Sequence, residues 1–169
     1  MLVVVASKHG STSAIATAVS DELRERGIAV SITAANDPDP SLDDYDAAVI
    51  GSAIYVGHWM KGARNFLQAH GEQLRGMPLW LFSSGPLGDG SAPPDELADI
   101  RALAVGLHVR DHRIFAGNLD KADLNLAERA AVRMVHAPYG DFRDWDEIRS
   151  WAKTISEELA NEPTSASVK

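Results

Sequence analysis

The chain opens on an apolar run, Leu2-Val3-Val4-Val5-Ala6. The run breaks at once into the polar loop Ser7-Lys8-His9-Gly10-Ser11-Thr12, and a helical stripe of Ile15, Ala16, Val19 and Leu23 follows. No other feature limits the fold as strongly. A run apolar at every position fits a strand covered on both faces, and such strands belong to parallel sheets whose crossovers are helices. The turn from strand to helix also aims backbone N–H groups and the positive end of the helix dipole at one point, as a phosphate dianion requires. Ser7-x-His9-Gly10-x-Thr12 sets hydroxyls at both ends of the loop, and Gly10 stands where backbone must approach a ligand or take a positive φ. The loop lacks Gly-x-Gly-x-x-Gly, which speaks against a dinucleotide turn, and it lacks the Gly-Lys-Ser/Thr ending of a nucleoside-triphosphate loop. The spacing predicts a site for one phosphate. The structural alternative is an ordinary strand-to-helix loop in which a Ser or Thr hydroxyl caps the helix.

The same alternation runs along the chain. Gly27 ends the first helix, residues 28–33 alternate as an edge strand would, and residues 36–40 form a turn cluster. Residues 47–51 are apolar on both faces and predict a central third strand, followed by a helix over 60–71 with Ala63, Phe66 and Leu67 inward. Residues 78–83 predict a fourth strand, and Pro93-Pro94 suit the start of a helix running through Leu97, Ile100 and Ala104. Residues 112–117 predict the fifth strand, with helices over 123–136 and 145–160 after it. Asp144 with Glu147 three residues later marks the start of the last helix, whose stripe is Ile148, Trp151, Ala152, Ile155 and Leu159. Five strands alternating with helices predict an α/β sandwich, a five-stranded parallel sheet with helices on both faces. Residues 1–160 are expected to form a single domain and the polar residues 161–169 a flexible tail.

At 169 residues such a domain buries about 70% of the surface that its unfolded chain exposes, so it needs no disulfide or metal to hold it together. The absence of cysteine excludes a thiol nucleophile, a cysteine-ligated zinc and an iron–sulfur cluster. A net charge of −8 argues against nucleic acid as a partner. Met1 leads directly into strand residues without a basic leader, and no apolar run approaches the ~20 residues that span a bilayer. The expectation is a cytoplasmic protein without a transmembrane segment.

In an open parallel sheet, ligands bind beyond the carboxyl ends of the strands where the strand order reverses. The loop after the third strand, Ser52-Ala53-Ile54-Tyr55-Val56-Gly57-His58-Trp59, is too apolar and aromatic for an idle solvent loop. Tyr55 and Trp59 can stack on a flat ring, or else pack against a helix, and the backbone of Ala53, Ile54, Tyr55, Val56 and Gly57 can bond a ring edge. After the fourth strand, Ser84-Gly85-Pro86-Leu87-Gly88-Asp89 forms a glycine-rich rim that lets backbone approach a heterocycle. A phosphate cradle, an aromatic wall and a glycine-rich rim together describe a site for flavin mononucleotide (FMN). Lys8 and His9 could each offset phosphate charge. His58 is the acid/base candidate near the ring, with a structural histidine at a helix entry as the alternative.

The chain resembles the flavodoxins, and among them the flavodoxin-domain proteins of the menaquinone-dependent protoporphyrinogen oxidase type. The matching pieces are Ser7-Lys8-His9-Gly10-Ser11-Thr12, Val49-Ile50-Gly51-Ser52-Ala53-Ile54-Tyr55-Val56-Gly57-His58, and Gly140-Asp141-Phe142-Arg143-Asp144-Trp145. The resemblance implies a 2-1-3-4-5 strand order and noncovalent FMN, with its phosphate in the 7–12 loop and its ring between the 52–59 and 83–90 loops. It implies an oxidoreductase passing electrons from a reduced donor, such as a reductase, to a small organic acceptor such as a quinone, and it leaves peripheral membrane contact open.

Two departures matter. The loop after the fourth strand carries no aromatic to cover one flavin face, which predicts a face open to a reactant. The segment from Asn118 to Tyr139 is shorter and less basic than in the porphyrinogen-oxidising relatives, which weakens porphyrinogen as the substrate and tight membrane association with it. The alternatives are a one-electron carrier and a flavodoxin-fold interaction module without cofactor. A phosphotransfer receiver is set aside, because Lys8-His9 and Ser52-Ala53 stand where it needs acidic residues.

Overall fold

The computed structural model describes residues 1–37, 41–55, 57–85, 96–134 and 138–161. Its centre is a parallel sheet of β1 (Leu2–Ala6), β2 (Ser31–Ala34), β3 (Ala48–Tyr55), β5 (Leu79–Ser84) and β6 (Val109–Phe115). The spatial order is β2-β1-β3-β5-β6, with a two-residue strand β4 (His58–Trp59) pairing antiparallel to the end of β3. Counting the five parallel strands alone, this is the expected 2-1-3-4-5.

Alternation on the strands builds two cores. Leu2, Val4, Ile50, Leu79 and Leu81 face α2 (Lys61–Ala69), α3 (Gly71–Leu74) and α4 (Glu96–Leu103), and meet Ala63, Phe66, Leu67, Leu74 and Ile100. Val3, Val5, Val49, Trp80 and Phe82 face α1 (Ser11–Glu25) and α6 (Trp145–Ala160), and meet Ile15, Ala16, Val19, Ile148, Trp151 and Ile155. Each fully buried aliphatic side chain contributes about 1.5–3 kcal/mol relative to exposure, so the doubly covered β1, β3 and β5 anchor the domain. Gly51 belongs to this packing, since a Cβ there would overlap the Phe82 ring.

Several boundaries move. The edge strand begins at Ser31, because Leu2 to Val5 pair with Ser31 to Ala34. β3 runs on to Tyr55 since Ser52 and Ala53 still pair with Ser83 and Ser84 on β5. β6 starts at Val109, where a register shift beside Leu79 brings it alongside β5. The helix expected over 60–71 divides into α2 and α3 at His70, whose φ of −106° breaks the helical path. Asp144 caps α6 as expected, accepting from the N–H groups of Asp146 and Glu147 at 3.0 and 2.9 Å.

A feature not anticipated is a second, two-stranded sheet of β7 (Asn118–Leu119) and β8 (Gly140–Asp141). It holds the ends of a segment that contains a short turn of 3-10 helix (Lys121–Asp123) and α5 (Leu126–Met134). The expected helix start at Pro93-Pro94 and the tail beyond Asn161 lie outside the described residues.

Candidate functional site at the carboxyl ends of β1, β3 and β5

The loop after β1 enters α1 through Gly10, which is the helix N-cap at φ +81° and ψ −18°. That left-handed conformation suits glycine. No side chain caps α1 and no acidic residue occupies its first turn, so the structural alternative of a Ser or Thr cap is not realised. The first-turn N–H groups, which have no side-chain cap among the described residues, and the helix dipole therefore stay available to an anion. Ser7 Oγ is buried and has no hydrogen-bond partner among the described residues. Thr12 is buried at the start of the helix. Ser11 is already engaged, its Oγ accepting the Asn118 N–H at 2.8 Å and tying β7 to the loop.

The 52–59 segment is a hairpin. Ser52 Oγ accepts the Met60 N–H at 2.9 Å, and Ile54 pairs with Trp59 and Tyr55 with His58 across a turn where Gly57 has φ +77°. Paired residues share a face of an antiparallel ribbon. Ile54 and Trp59 thus point into the core, while Tyr55 and His58 lie on the outer side, both exposed. Trp59 is 1% exposed and its Nε1 donates to Ser83 Oγ at 2.8 Å, so it is a core residue and not a ring-stacking one. Tyr55 is 41% exposed on the outer face of the hairpin.

The other loops close on the same place. A methyl group on Gly117 would lie 3.6 Å from Ser11 Oγ, Ser84 Oγ and Gly85 N, and one on Gly85 would lie 3.9 Å from the Ile54 carbonyl. Ser11, Ile54, Ser84, Gly85 and Gly117 therefore border one region at the end of the sheet. Val56, Pro86, Leu87, Gly88 and Asp89 lie outside the described residues.

Lys8 and His9 are already engaged within the protein. Both face Glu128 of α5, with Lys8 Nζ at 2.7 Å and His9 Nε2 at 3.1 Å from Glu128 Oε1. The Tyr55 hydroxyl donates to the same oxygen at 2.6 Å, and Lys8 Nζ lies 4.5 Å from the centroid of the Tyr55 ring. The second carboxylate oxygen accepts the Asn125 N–H at 2.9 Å, and the Asn125 side chain accepts the Glu128 N–H in return. Lys8, then Tyr55 and the Asn125 N–H, hold the Glu128 carboxyl far below the usual carboxylate range. The same bond to Glu128 raises the Tyr55 phenol and the Lys8 ammonium above their ordinary values. Glu128 is thus a fixed anion. With its proton committed to Glu128, the phenol of Tyr55 offers a ligand chiefly its ring.

Glu128 was not visible from the sequence as a site residue. The spacing Asn125-x-x-Glu128 does signal a helix start, but nothing local signals a partner about 120 positions away.

The flavodoxin domain family model matches residues 2–146, and the chain belongs to this family. Protoporphyrinogen IX dehydrogenase [quinone] of Escherichia coli (strain K12) is 23% identical over 177 residues, covering 96% of this chain and 97% of that protein. A flavodoxin from the domain Archaea superposes with a TM-score of 0.63 at 17% identity, covering 95% of this chain and 98% of the other. Oxidised flavodoxin 1 from Bacillus cereus gives a TM-score of 0.63 at 14% identity, covering 96% and 98%. Among the described residues no helix is long and apolar enough to cross a membrane.

Proposed function

We propose that this flavodoxin-domain protein binds FMN and passes electrons from a reduced donor to a small organic acceptor of the quinone class, working in the cytoplasm. The observation that carries the proposal is the loop after β1, where an uncapped helix start meets a buried Ser7 hydroxyl that has no partner among the described residues. A phosphate group would give that hydroxyl an acceptor and the helix start a counter-charge. The residues present therefore fit the cofactor.

Ser7, Thr12 and the N–H groups from Gly10 to Thr12 would hold the phosphate. Ser11 would hold the loop's shape through Asn118. The hairpin backbone around Ala53 to Gly57 would border one edge of the ring, with Tyr55 as its wall, and Ser84 to Asp89 would border the other. When bound, FMN supplies one- and two-electron redox chemistry, and the protein supplies position and electrostatics. His58 shares the outer face of the hairpin with Tyr55, which makes it the candidate to hold or release a proton for an acceptor docked there. The quinone class draws support from the named activity of the Escherichia coli relative, whose length the chain spans almost entirely. The net charge of −8 suits docking against a basic face of a protein donor.

The test is reconstitution followed by stopped-flow reoxidation. Purified protein mixed with FMN should show the absorbance of a bound flavin. Once reduced, it should deliver two electrons per turnover to a soluble menaquinone analogue with saturation kinetics. Failure to bind FMN would favour an interaction module, and one-electron exchange without saturation would favour a carrier.

A further inference from the structure

The side chains of α5 do not attach it to the body as those of the other helices do. None of its described residues belongs to either core cluster, and Leu126 and Met134 are 83% and 80% exposed. Among the described side chains of α5 Glu128 is the most buried, and no other charged residue among those described is as buried. One oxygen of this carboxylate takes Lys8, His9 and Tyr55 together, at 2.7, 3.1 and 2.6 Å. Two of those donors belong to the phosphate loop and the third to the ring loop.

We propose that Glu128 is a specificity-determining residue of the flavin site, an internal anion that occupies the side chains of Lys8 and His9 so that the phosphate is recognised by hydroxyls and backbone N–H groups. This rests on the FMN reading above. A phosphate dianion and the Glu128 carboxylate are both acceptor-only, and they face one set of donors. Lys8 cannot serve both at full strength, because its ammonium already lies 2.7 Å from Glu128 and against the Tyr55 ring. The loop thus offers the phosphate little net side-chain charge. Glu128 holds the preference for a phosphorylated flavin below what the loop's own sequence would allow. In return, it fixes the phenol of Tyr55 and draws α5 against the loop.

A change of Glu128→Gln keeps the shape and the acceptor oxygen for Tyr55 but removes the charge. FMN should then bind roughly tenfold more tightly, the size of one added charged hydrogen bond, while riboflavin, which has no phosphate, binds as before. The FMN affinity of the variant should also fall more steeply with salt than that of the wild type. Adding Lys8→Met should cancel the gain, since Lys8 is the cation that Glu128 releases. Lys8→Met alone should change FMN affinity less than about twofold, because the ammonium is already occupied. That single variant tests the assignment even if Glu128→Gln does not fold.

Equal weakening of FMN and riboflavin in Glu128→Gln would show a purely structural role and overturn the assignment. So would an unchanged ratio of the two affinities, or a tenfold loss of FMN in Lys8→Met alone. A wild-type protein that binds neither flavin would instead overturn the FMN reading, and this inference with it.

Discussion

Ser7→Ala should move stability and affinity in opposite directions. In the protein without ligand, Ser7 Oγ is buried and makes no hydrogen bond to any described residue. A buried polar group left without a partner costs about 1–3 kcal/mol. Alanine removes the hydroxyl and keeps the Cβ, so no cavity larger than one oxygen results. The ligand-free variant should therefore gain about 1 kcal/mol, seen as a higher urea midpoint with an unchanged slope. With FMN bound the sign reverses. A hydroxyl donating to a phosphate is a bond to a charged group, worth about 1.5–3 kcal/mol, so FMN should dissociate from Ser7→Ala roughly ten- to a hundredfold more readily. Riboflavin affinity should stay within about twofold, since it presents no phosphate to the loop. A stability cost retained at a site because it serves a ligand is a common trade between stability and function. Loss of ligand-free stability together with equal weakening of both flavins would refute the reasoning, since the hydroxyl would then be an ordinary structural group.

Two further predictions separate scaffold from site. Asp144→Ala removes the acceptor for the Asp146 and Glu147 N–H groups, and should cost about 0.5–2 kcal/mol by urea denaturation while leaving FMN affinity unchanged. The second concerns His112, whose Nε2 is 2.9 Å from Ser83 Oγ and whose pKa burial pushes below the ordinary histidine value. Its neutral form is the one the fold favours. The stability this lends is present above the unfolded value near 6.5 and is lost as pH falls from there through the depressed folded value. The urea midpoint should decline over that window in the wild type and decline less in His112→Asn. Parallel profiles for the two proteins would place the pH response elsewhere.

The sheet was legible because its signals are local. Leu2 to Ala6 declare a doubly covered strand, and Ile148, Trp151, Ala152 and Ile155 declare the buried face of α6, each within a few residues of chain. β2 and β6 were placed less well. They are edge strands, and their exposed positions, such as Ser31 and Arg110, dilute the pattern that marks β1, β3 and β5. The Glu128 cluster carried no local period at all, because it joins residues 73 and 120 positions apart in the chain.

The two aromatics of the 52–59 segment show what topology adds to composition. The sequence offers both Tyr55 and Trp59 as rings able to stack or to pack against a helix, and only Tyr55 is taken as a site residue. A strand continuing through both would have set them on the same face, since residues four apart share a side. The chain instead folds back between them. With Ile54 opposite Trp59 and Tyr55 opposite His58, one aromatic must share the buried face of Ile54 and the other must face outward. The hairpin therefore decides which residue packs and which can meet a ligand. It also sets His58 beside Tyr55, so that an imidazole and a phenol ring occupy one surface. That pairing depends on two residues of turn, and lengthening the turn by a single residue would break it before any side chain at the site was changed.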